Sequence, residues 1–125
     1  MTYSIEQIME DTETWVVTGK LNTAMLAENF QFISPFWKSS NRAEFIDVFQ
    51  NSDAYQKILA NIVKFDPLIR CVGLDGIHFS IVLRYFTRNG CNVWETVLGK
   101  VENGLLVEAR SIYDLAETRK AHELD

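Results

Sequence analysis

Residues 74–114, LDGIHFSIVLRYFTRNGCNVWETVLGKVENGLLVEARSIYD, contain three glycine-containing dipeptides at equal spacing. Asp75-Gly76, Asn89-Gly90 and Asn103-Gly104 follow one another at 14-residue intervals, and alternating apolar segments flank each of them. Asp-Gly and Asn-Gly are preferred in two-residue type I′ hairpin loops, because both central residues need a positive φ. The pattern therefore predicts a four-stranded antiparallel meander. Its predicted strands span residues 62–74, 77–88, 91–102 and 105–114.

Two-residue turns would also fix the register of the meander. With such turns, Trp94 faces both Tyr85 and Tyr113 on neighbouring strands. One face of the sheet is then dominated by apolar and aromatic groups. We expect the helices to cover it, since burial of apolar surface contributes roughly 25 cal/mol per Å². This face comprises Ile77, Phe79, Ile81, Leu83, Tyr85, Trp94, Thr96, Leu98, Val107, Ala109, Ser111 and Tyr113.

The opposite face of the predicted meander mixes charged and apolar residues. The same register places Arg84 directly opposite Glu95, with Arg110 diagonal to it, which predicts a cross-strand charge network. Apolar residues such as Phe86 and Val97 are interspersed with these charges. A mixed face of this kind is typical of a surface that contacts a partner protein.

The N-terminal half is predicted to be mainly helical. Ser4 suits the N-cap of a helix that extends to about Thr18, because apolar residues recur at helical spacing between them. The other predicted elements are a short helix over 22–26, a strand over 29–34 and helices over 42–50 and 53–60. This order predicts one α+β domain over residues 1–125, in which N-terminal helices pack on a strongly curved antiparallel sheet.

Composition and charge argue against several classes of partner. The 125 residues include 12 basic and 17 acidic side chains, for a net charge of -5, and no basic stripe favours nucleic acid. No apolar run approaches the ~18 residues of a membrane span, and no signal-peptide pattern is visible. We therefore expect a cytoplasmic protein that binds neither nucleic acid nor membrane. Cys71 and Cys91 are expected to be free thiols, and we expect no metal or cofactor.

The order of the elements and the closing strand GLLVEARSIYD, residues 104–114, resemble SnoaL-like proteins of the nuclear-transport-factor-2-like superfamily. In those proteins a Gly turn leads into a strand that ends in Arg, an aromatic residue and Asp. The resemblance covers residues 5–115 and implies a cystatin-like cone, in which helices close a curved sheet around a deep pocket. Homodimers through the outer face of the sheet are common in this superfamily. Its members include ketosteroid isomerases, polyketide cyclases, limonene-epoxide-hydrolase-like enzymes and non-catalytic binders.

The catalytic carboxylates of these relatives are not matched in this sequence. The general-base Asp of ketosteroid-isomerase-like members precedes the Pro of the first strand, where this chain has Ser34. Their oxyanion-stabilising Asp comes from the third meander strand, whose predicted inward residues here are Trp94, Thr96 and Leu98. Epoxide-hydrolase-like members carry Asp directly after the final-strand Arg, where this chain has Ser111.

A contiguous group of polar and aromatic side chains is predicted on the inward face. We interpret it as the lining of a pocket that hydrogen-bonds a small, mostly apolar molecule. An aromatic core whose hydroxyls bond to the backbone fits the same pattern. The candidate ligand-binding residues are Trp15, Phe32, Ser34, Tyr85, Trp94, Thr96, Ser111 and Tyr113. His78 is expected on the outer face, and His122 is expected in a solvated, charged tail.

Three functions remain open at this point, and we expect a homodimer. The first is binding of a small lipophilic molecule in a pocket without an acid–base carboxylate. The second is an isomerase, polyketide cyclase or epoxide-hydrolase-like enzyme that uses Tyr85, Tyr113, Ser111 and Asp66. The third is an interaction module that acts through the outer sheet face. A carboxylate or histidine buried in the pocket would favour the enzyme.

Overall fold

Four helices and six strands make up the part of the chain that the computed structural model describes, residues 2–124, with the side chains of residues 67 and 68 not described. The elements in chain order are α1 (Ile5–Thr18), a 3₁₀ turn (Thr23–Met25), β1 (Leu26–Ile33), β2 (Lys38–Ser39), α2 (Arg42–Asn51), α3 (Asp53–Asn61), β3 (Ile62–Val72), β4 (His78–Thr87), β5 (Asn92–Glu102), β6 (Leu105–Ile112) and α4 (Leu115–Ala121).

All six strands belong to one sheet with the order β2-β1-β6-β5-β4-β3. The predicted antiparallel meander is confirmed and consists of β3 to β6. Strand β1 pairs in parallel with β6, so that Phe32 lies opposite Ala109, and the sheet is mixed rather than purely antiparallel. The α+β class with helices covering a curved sheet is confirmed. Helix α4 was not predicted.

Side-chain caps define the ends of the predicted helices. The Ser4 hydroxyl accepts a hydrogen bond from the Gln7 amide at 3.1 Å, and Gly19 closes α1 with φ 76°. Asn41 caps α2 by accepting from the Glu44 amide at 2.9 Å. Such caps satisfy backbone N–H groups that have no partner within the helix. They explain why α1 and α2 begin at their predicted residues.

Aromatic side chains form the centre of the core between the helices and the sheet. Phe45 of α2 is fully buried, and its ring centroid lies 5.3 Å from that of Trp15 and 5.1 Å from that of Phe30. Phe79 and Leu83 of β4 are buried on the same side of the sheet. We call this side of the sheet the inner face and the opposite side the outer face.

The three glycine-containing turns have three different lengths. Asn103 and Gly104, with φ of 53° and 72°, form the predicted two-residue turn. Gly73 pairs with His78 around a four-residue loop, which leaves the predicted register of β3 and β4 near this turn unchanged. At the middle turn, the Thr87 amide donates to the Cys91 carbonyl at 3.0 Å, so the loop has three residues. Only its glycine has a positive φ, as in a type I turn followed by a G1 bulge.

The extra residue in the middle turn moves the register of β5 by one position. Arg84, not Tyr85, lies opposite Trp94. Because side chains alternate between faces, this shift turns the whole strand over. The predicted inward placement of Trp94, Thr96 and Leu98 is therefore wrong, and Trp94 is 51% exposed on the outer face. The side chains of β5 on the inner face are instead Val93, Glu95, Val97 and Val101, together with Gly99.

Strand β6 keeps most of its predicted orientation, because a second register shift, within β5, compensates for the extra residue in the middle turn. A register shift between Lys100 and Val101 places Val97 opposite Ser111. Ala109 and Ser111 are consequently buried on the inner face as predicted, whereas Leu106 replaces Val107 there.

The predicted pairing of Arg84 with Glu95 is wrong for the same reason. On the outer face, the Arg84 guanidinium carbon lies 5.2 Å from the Trp94 ring centroid. The guanidinium is also 3.5 Å from the Asp66 carboxylate.

Within residues 2–124, no helix is long and apolar enough to cross a bilayer.

Candidate functional site

A cavity of about 360 Å³ lies between the helices and the inner face of the sheet. Its wall is mainly apolar and aromatic, with side chains from α1, β1, α2, α3 and the meander. A volume near the lower end of the usual range for ligand pockets is enough for a small molecule. The polar residues on the wall include Ser34, Tyr55, Tyr85, Glu95, Ser111 and Tyr113.

Six of the eight predicted site residues line this cavity, and two do not. The six are Trp15, Phe32, Ser34, Tyr85, Ser111 and Tyr113. Trp94 and Thr96 lie on the outer face because of the register of β5. That the cavity residues bind a ligand stays a prediction.

Glu95 is the carboxylate that the sequence analysis placed on the wrong face. It projects from β5 into the cavity, between the buried residues Val93 and Val97. Burial raises the pKa of its carboxyl from 4.5 to about 7, while the Ser111 side chain beside it lowers the pKa in part. The residue as a whole keeps some accessible surface, because one side of it borders the cavity. A sizeable fraction of Glu95 is therefore protonated at neutral pH.

Three tyrosines surround Glu95 on the cavity wall. They are Tyr55 of α3, Tyr85 of β4 and Tyr113, which directly follows β6. Burial raises the pKa of each hydroxyl, and the nearby Glu95 carboxylate raises it further. The three hydroxyls therefore keep their protons at neutral pH and can donate hydrogen bonds. The nearby Ser34 side chain and Phe36 backbone partly offset the raised pKa of the Tyr113 hydroxyl.

His122 is buried beside the cavity, so its predicted solvation is wrong. It is 2% exposed, and its Nε2 atom lies 2.8 Å from the Tyr85 hydroxyl. Asp114 caps α4 by accepting a hydrogen bond from the Glu117 amide at 2.7 Å, and this helix folds the C-terminal segment back onto the sheet. Desolvation lowers the pKa of His122, which favours the neutral imidazole.

His78, as predicted, lies on the outer side, where it contacts Asp75.

The Trp15 indole and the Ser34 hydroxyl are two further polar groups on the cavity wall, and they differ in their hydrogen bonding within the protein. The Trp15 indole nitrogen is buried, and no acceptor within the described residues has hydrogen-bond geometry with it, although the Tyr55 hydroxyl is close by. Ser34 is occupied in its turn, where its hydroxyl donates to the Trp37 carbonyl at 3.0 Å and accepts from the Trp37 amide at 3.2 Å.

The sequence contained a signal for Glu95 that the turn pattern overrode. Val93, Val97 and Val101 alternate with Glu95 and Gly99, whereas the rival face of this strand ends in Lys100. Lysine is rarely fully buried without a partner, which argues for the valine face as the inner one. For Tyr55 the signal was its helical spacing with Ile58 and Leu59, which predicts an inward face of this helix, and all three residues line the cavity. No comparable signal existed for His122, since its place beside Tyr85 depends on how the C-terminal segment packs.

Comparisons with known proteins give a fold and no closer relationship. No family model and no curated protein matches the sequence. In structure, the chain is similar to a nuclear-transport-factor-2-like protein of unknown function from Burkholderia pseudomallei K96243, at 17% identity and TM-score 0.65, over 97% of this chain and 98% of that one. It is also similar to a protein of ketosteroid isomerase-like fold from Catenulispora acidiphila DSM 44928 in complex with trimethylamine, at 13% identity and TM-score 0.65, over 93% and 94% of the two chains.

A third similar structure is TerC co-crystallised with polyporic acid, at 8% identity and TM-score 0.71, over 94% of this chain and 97% of that one. Identities this low show the fold alone. The chain therefore has the nuclear-transport-factor-2-like, ketosteroid isomerase-like cone fold, and the predicted resemblance is confirmed at that level.

Within the described residues, no three His, Cys, Asp or Glu side chains are grouped to hold a metal ion.

Proposed function

We propose that the cavity binds a small, mostly apolar carbonyl compound and that Glu95 moves a proton to or from the carbon next to the carbonyl group. One observation carries this proposal: among the described residues, Glu95 places a carboxyl group on the wall of an apolar cavity, together with tyrosine hydroxyls. The sequence-based expectation of a pocket without a carboxylate is wrong, because β5 presents the face that contains Glu95 to the cavity. That Glu95 acts as an acid or base is part of the proposal.

The surroundings of Glu95 suit proton transfer at neutral pH. General acid–base groups are most effective when their pKa is close to the working pH, and burial brings the pKa of Glu95 to about 7. An ordinary surface glutamate would be a much weaker base. The protonated and ionised forms of Glu95 are both populated near neutrality, as a group that accepts and returns a proton requires.

Removal of a proton beside a carbonyl places negative charge on the carbonyl oxygen, so the cavity needs hydrogen-bond donors. The Tyr85 hydroxyl keeps its proton and borders the cavity. On the same wall, the Trp15 indole N–H has no acceptor in hydrogen-bond geometry among the described residues, and its close neighbour is the Tyr55 hydroxyl. Donors held in place in a site of low polarity stabilise such charge better than water does. These groups support an isomerase- or cyclase-type reaction rather than attack by a nucleophile.

The proposal is tested by following hydrogen–deuterium exchange at the α-carbons of 2-tetralone, a small bicyclic ketone, in D₂O by NMR. The protein should accelerate exchange, with a rate that rises through pH about 7 as Glu95 ionises. Glu95→Gln should lower the acceleration by roughly 10²-fold or more. The control Glu102→Gln, at an exposed position of the same strand, should have no effect. Equal rates with and without protein, or with Glu95→Gln and the original chain, would refute the proposal.

Binding without catalysis is the second candidate, and the mainly apolar wall of the cavity favours it. In that case 2-tetralone would bind with a dissociation constant unchanged by Glu95→Gln, and exchange at its α-carbons would proceed at the buffer rate. The same experiment therefore separates the two functions.

A homodimer through the outer face is proposed as the assembly that carries this site. Trp94, Leu98 and Ile112 are exposed on adjacent strands of that face. A contiguous set of exposed apolar residues on a sheet is a frequent feature of protein interfaces. The alternative role as an interaction module would use the same surface. A cytoplasmic location and a single domain stay predictions.

A further inference from the structure

Asn61, at the end of α3, has an amide orientation that its neighbours determine. Its Nδ2 atom lies 3.0 Å from the carbonyl oxygen of Ala121 and 3.0 Å from Nδ1 of His122. A carbonyl oxygen can only accept, so the NH₂ group of Asn61, and not its oxygen, must face Ala121. The same NH₂ group then offers its second hydrogen to His122.

This orientation decides which nitrogen of His122 carries the proton. Because Nδ1 receives a hydrogen bond from Asn61, it must be the unprotonated nitrogen of a neutral imidazole. The proton is then on Nε2, which lies 2.8 Å from the Tyr85 hydroxyl oxygen. His122 therefore donates to Tyr85, and the hydrogen of the Tyr85 hydroxyl has to point elsewhere. Tyr85 borders the cavity, and within the described residues its hydroxyl has no second hydrogen-bond partner.

We propose that Asn61 and His122 are positioning residues that hold the Tyr85 hydroxyl as a hydrogen-bond donor directed into the cavity, where it binds an acceptor oxygen of the ligand. The inference deepens the proposed function and rests on it for the ligand's carbonyl group. Neither Asn61 nor His122 touches the ligand in this arrangement. Asn61 at the end of α3 contacts Ala121 and His122, which lie 60 and 61 positions further along the chain. His122 in turn contacts Tyr85 of β4, so the contacts join three separate parts of the sequence.

Burial and charge around Tyr85 are consistent with a permanent donor. The hydroxyl is enclosed near Glu95, and negative charge on that carboxyl opposes loss of the tyrosine proton. The neutral His122 offers no positive charge that would stabilise a tyrosinate. Tyr85 thus keeps a hydrogen to donate in both protonation states of Glu95.

The tautomer of His122 provides a direct test on the free protein. Long-range ¹H–¹⁵N correlation spectra of uniformly ¹⁵N-labelled protein at pH 7.5 should show the Nε2–H tautomer, with His122→Gln used to assign the signals. An Nδ1–H tautomer or an imidazolium at this pH would overturn the proposal. This result does not depend on whether Glu95 acts on any substrate.

The donor role is tested with the matched probes 2-tetralone and tetralin, which differ by the carbonyl oxygen. The original chain should bind the ketone more tightly than the hydrocarbon. Tyr85→Phe should lower this preference roughly 3- to 10-fold, the usual worth of one hydrogen bond. Asn61→Leu should lower it in the same direction, because His122 is then free to reverse its tautomer and accept from Tyr85.

A double variant separates positioning from a general structural role. In the Tyr85→Phe background, Asn61→Leu should leave the preference for 2-tetralone unchanged. A further loss there, or an equal loss of affinity for both probes in Asn61→Leu alone, would overturn the assignment of Asn61. Glu95→Gln should keep the preference while it loses α-carbon exchange, so that failure of the proposed function and failure of this inference give different results.

Discussion

Glu95 of β5 and Ser111 of β6 project into the same cavity, and the serine side chain favours the ionised form of the buried carboxyl. Burial and the Ser111 side chain act in opposite directions on the pKa of Glu95, and burial is the larger effect. The result, a pKa of about 7, has consequences for stability as well as for chemistry. The first two predictions follow from this pair.

The stability of the protein should depend on pH through Glu95. Its pKa is raised from 4.5 in the unfolded chain to about 7 in the folded one, so the folded state binds more protons between these values. The contribution of Glu95 to stability is fully present below pH 4.5 and is lost as the pH rises through 7. The loss is on the order of 3 kcal/mol for a fully enclosed group.

Glu95→Gln removes this dependence, so the variant should be more stable than the original chain at pH 8 and similar to it at pH 5. Urea unfolding followed by circular dichroism at both pH values provides the measurement. The lowered pKa of His122 contributes a slope of opposite sign in both proteins, and it cancels in the difference. A stability difference that does not change between pH 5 and 8 would argue against the burial of the ionised carboxyl.

Ser111→Ala should raise the pKa of Glu95 above its value in the original chain, because a side chain that favours the ionised carboxylate is lost. The titration can be followed by ¹³C NMR of the side-chain carboxyl. Thr118→Val is the matched control, since Thr118 also lines the cavity but its hydroxyl donates to the Asp114 carbonyl. A shift of equal size in the two variants would contradict the specific role of Ser111.

Gly99→Ala should destabilise the fold by about 1–3 kcal/mol, which is typical of overpacking in a core. The added Cβ would overlap the ring of Phe79, which packs on Gly99 from the neighbouring strand. Chemical denaturation of a double-mutant cycle checks the cause. In a Phe79→Leu background the same alanine should cost less, because the smaller side chain leaves room. An equal cost in both backgrounds would assign the effect to the strand backbone.

Trp94→Asp should convert the proposed dimer to a monomer. Trp94 is 51% exposed on the outer face, and a charge there opposes burial against a second copy. In sedimentation experiments the original chain should have twice the mass of 14.4 kDa, and the variant should have 14.4 kDa. Leu74→Asp, in the exposed loop before β4, should remain dimeric. A monomeric original chain, or a dimeric Trp94→Asp, would exclude this interface.

Local features of the structure were predictable where local chemistry decides them. The N-caps Ser4 and Asn41 and the positive φ of Gly76, Gly90 and Gly104 depend on neighbours within a few residues. The candidate site was only partly predictable. Ser111 and Tyr113 face the cavity as expected, whereas Glu95 required the correct length of one turn.

The turn at Asn89-Gly90 shows why the remainder could not be read from the sequence. Two-residue and three-residue loops both accept glycine with positive φ at this place, and they differ by one residue in register. The choice depends on which face of β5 packs best: Val93 and Val97 fill the core, and Gly99 leaves room for Phe79. That comparison involves volumes contributed by distant elements.

The sequence by itself determined the α+β class, the helices of the N-terminal half and the four-stranded meander, because helix caps, apolar periodicity and Gly turns act over short distances. Only the tertiary structure decided that Glu95 is inside and Trp94 is outside, and that His122 is buried against Tyr85. Packing of the whole core selects one register among locally equivalent ones, and burial in turn sets the pKa of Glu95.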